Sequence, residues 1–263
     1  MESSSASSLI LVGSLASLCA GLATAVGALP VLLLREISDE VQDVMLGFAA
    51  GVMLAASFFS LILPGLEAAQ AQGAGEVGAV SIVIAGILAG ALCLWLIHRY
   101  APHEHFITGP EGPHTQNVRR IWLFVIAITL HNLPEGLAVG VGFGGGDFDN
   151  GIALAIGIGL QNMPEGLAVA VALLTLHYSK AQALLVALLT GLVEPLGGLI
   201  GVGAVTVAAS LLPWGLAFAA GAMIFVISDE IIPETHRKGL ENHGTAGLMV
   251  GLVVMMFLDV VLG

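Results

Sequence analysis

Long stretches with few or no charges recur along the whole chain, and few folds are open to a chain built this way. Each stretch is close to the ~20 apolar residues that a helix needs to cross the hydrocarbon core of a bilayer. Eight are read, over about 9–34, 41–66, 79–98, 121–142, 151–177, 182–207, 214–232 and 245–262. They are apolar continuously, whereas the strands of a membrane barrel would alternate lipid-facing and lumen-facing residues. Of the 263 residues 57% are hydrophobic and only 10% charged, against roughly 25% charged in a soluble domain. The expectation is an all-α, polytopic membrane protein, one transmembrane domain over 1–263, with the lipid bilayer as a partner and no nucleic acid.

The first stretch is read as a span and not as a secretory signal, because Met1 to Ser8 carry no Lys or Arg and the apolar run is longer than a signal's. Cys19 and Cys93 fall inside predicted spans without paired spacing, so they read as packing residues. With eight spans the seven basic residues are one-sided: Arg35, Arg99, Arg119, Arg120, Lys180, Arg237 and Lys238 all lie on odd-numbered connections. The positive-inside rule then predicts a cytoplasmic side for those connections, the 99–120 loop included, and both termini outside. Trp95, Tyr100, Trp122, Tyr178 and Trp214 sit near span ends, where amphipathic rings favour the headgroup layer.

Two kinds of internal repeat are present, as in many transporters. His131-Asn-Leu-Pro-Glu-Gly-Leu-Ala-Val139 recurs thirty residues later as Gln161-Asn-Met-Pro-Glu-Gly-Leu-Ala-Val169. Phe48-Ala-Ala-Gly-Val-Met53 in span 2 matches Phe218-Ala-Ala-Gly-Ala-Met223 in span 7, an offset of 170 residues between spans of opposite direction. Spans 1–3 and 6–8 therefore look like an inverted pair around spans 4 and 5, a 3+2+3 plan.

Glu135, Glu165 and Glu194 lie deep within spans, and no Lys or Arg lies at comparable depth. Each acid at a helix centre costs roughly 2.5–3.5 kcal/mol on insertion scales. The compensation must come from protons, cavity water or a bound cation. Spacing favours a metal ion: His131 and Glu135 are four apart and share a helix face, and Gln161 and Glu165 repeat the relation. Two facing antiparallel helices would present all four to one point. Asn132 and Asn162 would serve a neighbouring point, with Glu194 as its carboxylate. Pro134, Pro164 and Pro195 each stand beside one of the glutamates and free a carbonyl one turn earlier, at Leu130, Leu160 and Gly191. A mixed His, Glu, Gln and Asn donor set suits Zn2+, Fe2+, Mn2+ or Cd2+ better than Cu+.

Other positions stay open between a bland and a functional reading. Met53 and Met223 by themselves read as core. Asp229 and Glu230 at one end of span 7, Asp43 in span 2 and Asp259 in span 8 are either solvated at the interface or part of an ion path. The loop from Arg99 to Arg120 holds His103, His105 and His114, with His98 at its edge, and is either an ordinary connection or a place to capture metal.

These motifs resemble those of the ZIP (Zrt/Irt-like protein) metal transporter family, in its prokaryotic branch. His131-Asn-x-Pro-Glu-Gly, the related motif at Gln161, Glu194-Pro-x-Gly-Gly and Glu230-Ile-Ile-Pro-Glu-Thr-His236-Arg stand in family order, and the likeness runs from about Arg35 to the C-terminus. The resemblance implies the 3+2+3 plan, outward termini, import toward the cytosol and homodimers, with the metal as transported substrate and no cofactor. It also implies one metal held by Met53, His131, Glu135, Gln161 and Glu165, and a second by Asn132, Asn162 and Glu194 with Glu135 and Glu165 shared. Asp43, His98, Asp229, Glu230 and His236 fall on the inner side of the implied path and Asp259 on the outer side. Two departures matter: Asn162 stands where binuclear relatives have Asp, and Asp229 where close relatives have His.

The expected function is import of zinc, with cadmium, iron or manganese as further cargo, through a bacterial inner membrane. An intramembrane metal-dependent hydrolase is the alternative that a helix-borne His-x-x-x-Glu allows, but no HExxH motif supports it. A proton-coupled solute carrier is the other. No enzyme activity is expected, and the mechanism expected is alternating access or an elevator-like shift.

Overall fold

The computed structural model describes residues 6–33, 37–100, 115–235 and 241–262, and among these there is no strand. Eight long helical segments follow one another. They are α1 (Ala6–Ala28, closing in a 3-10 turn at Leu29–Leu32), α2 (Asp39–Ala71), α3 (Glu76–Tyr100), α4 (Thr115–Gly144), α5 (Phe148–Thr175), α6 (Lys180–Val207), α7 (Ala209–Thr235) and α8 (Glu241–Leu262). Among the described residues seven of them, all but α4, are long and apolar enough to cross a membrane. At 30 residues α4 also exceeds the ~20 that a crossing needs. The protein is thus an all-helical, polytopic membrane protein. Most segments overrun their predicted spans by several residues, because polar caps extend them past the apolar stretch.

Those caps are local. Ser38 accepts from the Val41 amide at the start of α2, and the Asp147 carboxylate accepts from the Asn150 amide at the start of α5. Ser179 and Gln182 form a reciprocal capping box at the start of α6. The tight reversals between helices use backbone in the left-handed region at Gly73 and Gly146, where a Cβ would be strained.

α2 packs on α8 and α3 on α7; α1 packs on α5 and α4 on α6; α1 meets α6 and α4 meets α5; α2 meets α5 and α7 meets α4. Burial sorts the helices accordingly. The apolar windows of α2 and α5 are each 61% buried inside the bundle, and those of α3 and α8 only 22% and 17%, so the last two form its flanks.

Small residues set the closest approaches. A side chain on Gly21 would run into the Gly191 carbonyl, and one on Gly191 into the Gly21 carbonyl. A Cβ on Gly136 would collide with the Glu194 carbonyl of α6, and one on Gly166 with the Thr24 carbonyl of α1. Gly90 is pressed on the Phe218 carbonyl, and Gly251 on the Phe48 carbonyl. Such contacts let backbones touch where lipid gives no hydrophobic drive for helices to associate.

Three irregularities were not visible in the apolar pattern. α2 contains a π-helical stretch at Ser57–Ile62 and α7 one at Ile227–Ile231. α6 is not one helix as the 182–207 span predicts: it breaks at Leu192–Val193 and restarts at Glu194–Val207. Pro195 therefore stands in a first turn, where its missing N–H leaves no bond unmade, and not in mid-helix like Pro134 and Pro164.

Candidate metal path

The polar residues singled out from the sequence converge at the centre of the bundle. His131, Asn132 and Glu135 from α4, Gln161, Asn162 and Glu165 from α5, and Glu194 at the break in α6 are all buried. The four-residue spacing brings each pair of donors to one helix face, and the contact of α4 with α5 turns those faces together.

Specific contacts follow. The Gln161 side-chain amide donates to Glu135 Oε1 at 2.6 Å. The Asn162 amide donates to Glu194 Oε1 at 2.7 Å and to the Ala20 carbonyl of α1 at 2.8 Å. His131 Nε2 lies 2.9 Å from Glu230 Oε1, which comes from the π-helical stretch of α7. Glu165 sits within electrostatic reach of Glu135, Glu194, His131 and Glu230, at the middle of the set. Met53 is buried and belongs to the same apolar cluster as Ala50, Val52, Ile158 and Met223.

The geometry differs from a single four-ligand point. Among the described residues no three His, Cys, Asp or Glu side chains stand close enough to hold one metal ion together. The donors pair off instead, as Gln161 with Glu135, Asn162 with Glu194 and His131 with Glu230. Several acceptors still carry no hydrogen bond: Glu135 Oε2, Gln161 Oε1, Asn132 Oδ1, Asn162 Oδ1 and Glu194 Oε2. Buried oxygens of this kind are costly unless a donor or a cation meets them.

The outlying residues fall in different places. Glu230, expected on the inner side of the path, reaches His131 of the central set. Asp43 is buried in α2, and Asp229 lies beside Glu230 in the π-helical stretch. Asp259 of α8 accepts from Ser60 Oγ at 2.5 Å, and the Ser60 carbonyl accepts from the Asn150 amide at 3.2 Å. His236 and the loop over 101–114 lie outside the described residues, as does the side chain of His98.

Sequence reasoning missed Ser17, whose hydroxyl donates to the Glu194 carbonyl at 2.8 Å, and Ser60, which donates to Asp259 and accepts from Asn150. Polar residues in an otherwise apolar helix were the available signal, but serine can also satisfy itself on its own helix, as Ser57 does on the Met53 carbonyl. The grooves on the outside of the bundle are apolar. One is lined by Ala16, Cys19, Phe143, Ile156 and Met163.

Comparison with known proteins points to one family. A family profile described as ZIP Zinc transporter matches residues 101–259. The chain is 53% identical over 242 residues to "Zinc transporter ZIPB" of Bordetella bronchiseptica, covering 92% of this chain and 78% of that protein. It is 49% identical over 251 residues to "Zinc transporter GufA" of Myxococcus xanthus, covering 95% and 99%. It is 36% identical over 321 aligned positions to "Zinc transporter ZIP11" of Homo sapiens, covering 91% and 94%.

Proposed function

The chain belongs to the ZIP zinc transporter family, and on that premise we propose that it imports Zn2+ across a bacterial plasma membrane along the buried path through α4, α5 and α6. One observation carries the reading: Glu135, Glu165 and Glu194 are buried together, and among the described residues no Lys or Arg is paired with them. A doubly charged ion supplies the missing complement. His131, Glu135, Gln161 and Glu165, with Met53, make the transport site, and Asn132, Asn162 and Glu194 adjoin it. Occupation would draw His131 from Glu230 and turn the Gln161 carbonyl inward, converting paired contacts into a shared coordination shell. Cadmium, iron and manganese suit the same donors.

Asp259 with Ser60 lies on the proposed outer approach, and Asp43, His98, Asp229, Glu230 and His236 on the proposed inner exit. Both termini are assigned outside and the 99–120 loop to the cytoplasm, supported by the one-sided Lys and Arg.

We read the eight helices as spans in a 3+2+3 inverted repeat. The helix packing supports this, since exchanging α1–α3 with α6–α8, and α4 with α5, maps each of the pairs described above onto another of them or onto itself. Thr24 and Glu194, like Phe48 and Phe218, are offset by the same 170 residues, and each pair meets matching glycines. Gly21 and Gly191, also 170 apart, touch each other, as residues astride a pseudo-two-fold axis would. The family resemblance extends the proposal to a homodimer and to an alternating-access or elevator-like cycle.

The relatives are named as transporters and not as enzymes, and no reaction is assigned to the chain. Purified protein in liposomes should move Zn2+ inward, and Glu165→Ala should lower the flux at least ~100-fold, the removal of a buried charged ligand being worth about 3 kcal/mol or more. Unchanged Zn2+ flux in that variant at every pH would overturn the assignment.

A further inference from the structure

Gln161 and Asn162 are adjacent carboxamides on α5, and each donates to a buried glutamate. They differ in how firmly they are held. Gln161 Nε2 has one acceptor, Glu135 Oε1, so half a turn of the amide loses one bond and offers Oε1 to a cation. Asn162 Nδ2 uses both hydrogens, one on Glu194 Oε1 and one on the Ala20 main-chain carbonyl. That orientation is fixed, because a carbonyl can only accept and turning Oδ1 toward it would oppose two acceptors. The same arrangement holds Glu194 from a second side, since Ser17 on α1 donates to its main-chain carbonyl.

We propose that the Asn162 carboxamide is a permanent substitute for a cation at Glu194, so that the chain carries one metal ion at a time. The donor edge of the amide faces Glu194 Oε1, and a cation placed at that oxygen would meet N–H groups instead of lone pairs. Asn162 thereby does two things: it partners the Glu194 charge and ties α5 to α1 and α6 in every loading state. The centre keeps one position, around Glu135 and Glu165, at which rotation of Gln161 and release of His131 expose donors. This inference rests on the reading of the centre as a metal path.

Counting ions tests it. Full-length protein in lipid nanodiscs, saturated with Zn2+ and desalted, should hold one zinc per chain by elemental analysis. Asn162→Asp, which replaces the donor edge by a second carboxylate oxygen, should hold two. Crystals of the unaltered protein soaked in Cd2+ should give one anomalous peak beside Glu135 and Glu165 and none at Glu194. Two zinc ions per unaltered chain, or a cadmium peak at Glu194, would overturn the inference and leave the transport reading standing. One ion in both proteins would overturn the role of the Asn162 amide, provided Asn162→Asp retains the helical circular dichroism of the parent; if it does not, the cadmium peak decides. No bound zinc in the unaltered protein would overturn the transport reading itself.

Discussion

His131 on α4 and Glu230 on α7 meet across the centre of the bundle, Nε2 at 2.9 Å from Oε1, with the imidazole almost fully enclosed and the carboxylate 15% exposed. The contact links the motif on α4 to the π-helical stretch of α7. Removing one partner of such a pair takes a contact from the other, and losing a hydrogen bond to a charged group usually costs about 1.5–3 kcal/mol. His131→Ala should therefore lower the thermal stability of the detergent-solubilised protein, and Glu230→Gln added to it should restore part of the loss. Strictly additive losses in the double variant would show the two groups to be uncoupled.

Acidification should inhibit transport. Carboxylates and imidazole bind metal in their deprotonated forms, so protons compete for the same lone pairs. In liposomes the apparent KM for Zn2+ should rise as pH falls, by roughly tenfold per unit in the limit where one proton must leave for each ion that binds. A KM that is flat from pH 8 to pH 5.5 would contradict the proposed ligands.

Gly136 and Gly166 let α4 approach α6 and α5 approach α1. A Cβ on either meets a main-chain carbonyl that cannot swing aside. Overpacking of this kind costs about 1–3 kcal/mol. Gly136→Val and Gly166→Val should each lower the melting temperature, whereas Gly203→Ala, at a position open to space, should leave it unchanged. Equal melting temperatures in all three would mean that these helices are not in contact.

Asp259 and Ser60 form a polar pair on the proposed outer approach, far in sequence from the central motifs. A negative group there raises the local cation concentration. Asp259→Ala should raise the apparent KM for Zn2+ about threefold to tenfold and leave the maximal rate near that of the parent. A large fall in maximal rate with unchanged KM would place Asp259 in the central machinery instead.

Much of this was readable from spacing alone. Uninterrupted apolarity defines the helices, because a bilayer leaves backbone polar groups only internal partners. The repeat of Pro134-Glu135-Gly136 at Pro164-Glu165-Gly166 marks the centre, since acids in lipid are too costly to be incidental. The pairing of His131 with Glu230 was not readable, because it depends on how α7 winds near Asp229 and not on any periodicity. The break before Glu194 was equally hidden. Leu192 and Val193 are ordinary apolar residues, and only Pro195 hints at a new start. Nor does the letter Asn at position 162 say which edge of the amide faces Glu194; the carbonyl of Ala20, on a different helix, decides it.

The π-helical stretches of α2 and α7 each hold a surplus residue, and so act as dials. An ordinary helix advances about 100° per residue. The extra residue at Ser57–Ile62 sets the compass bearing of everything beyond it on α2 independently of the part that carries Met53. Excising one residue from that stretch would tighten the winding and swing its far end round by about a quarter of a circle, uncoupling Ser60 from Asp259 while leaving Asp43 and Met53 where they are. Excision in Ile227–Ile231 would do the same to Glu230 and His131. Evolution has thus left, on each of two helices, a point where the aim of the side chains near one end is set separately from that near the other.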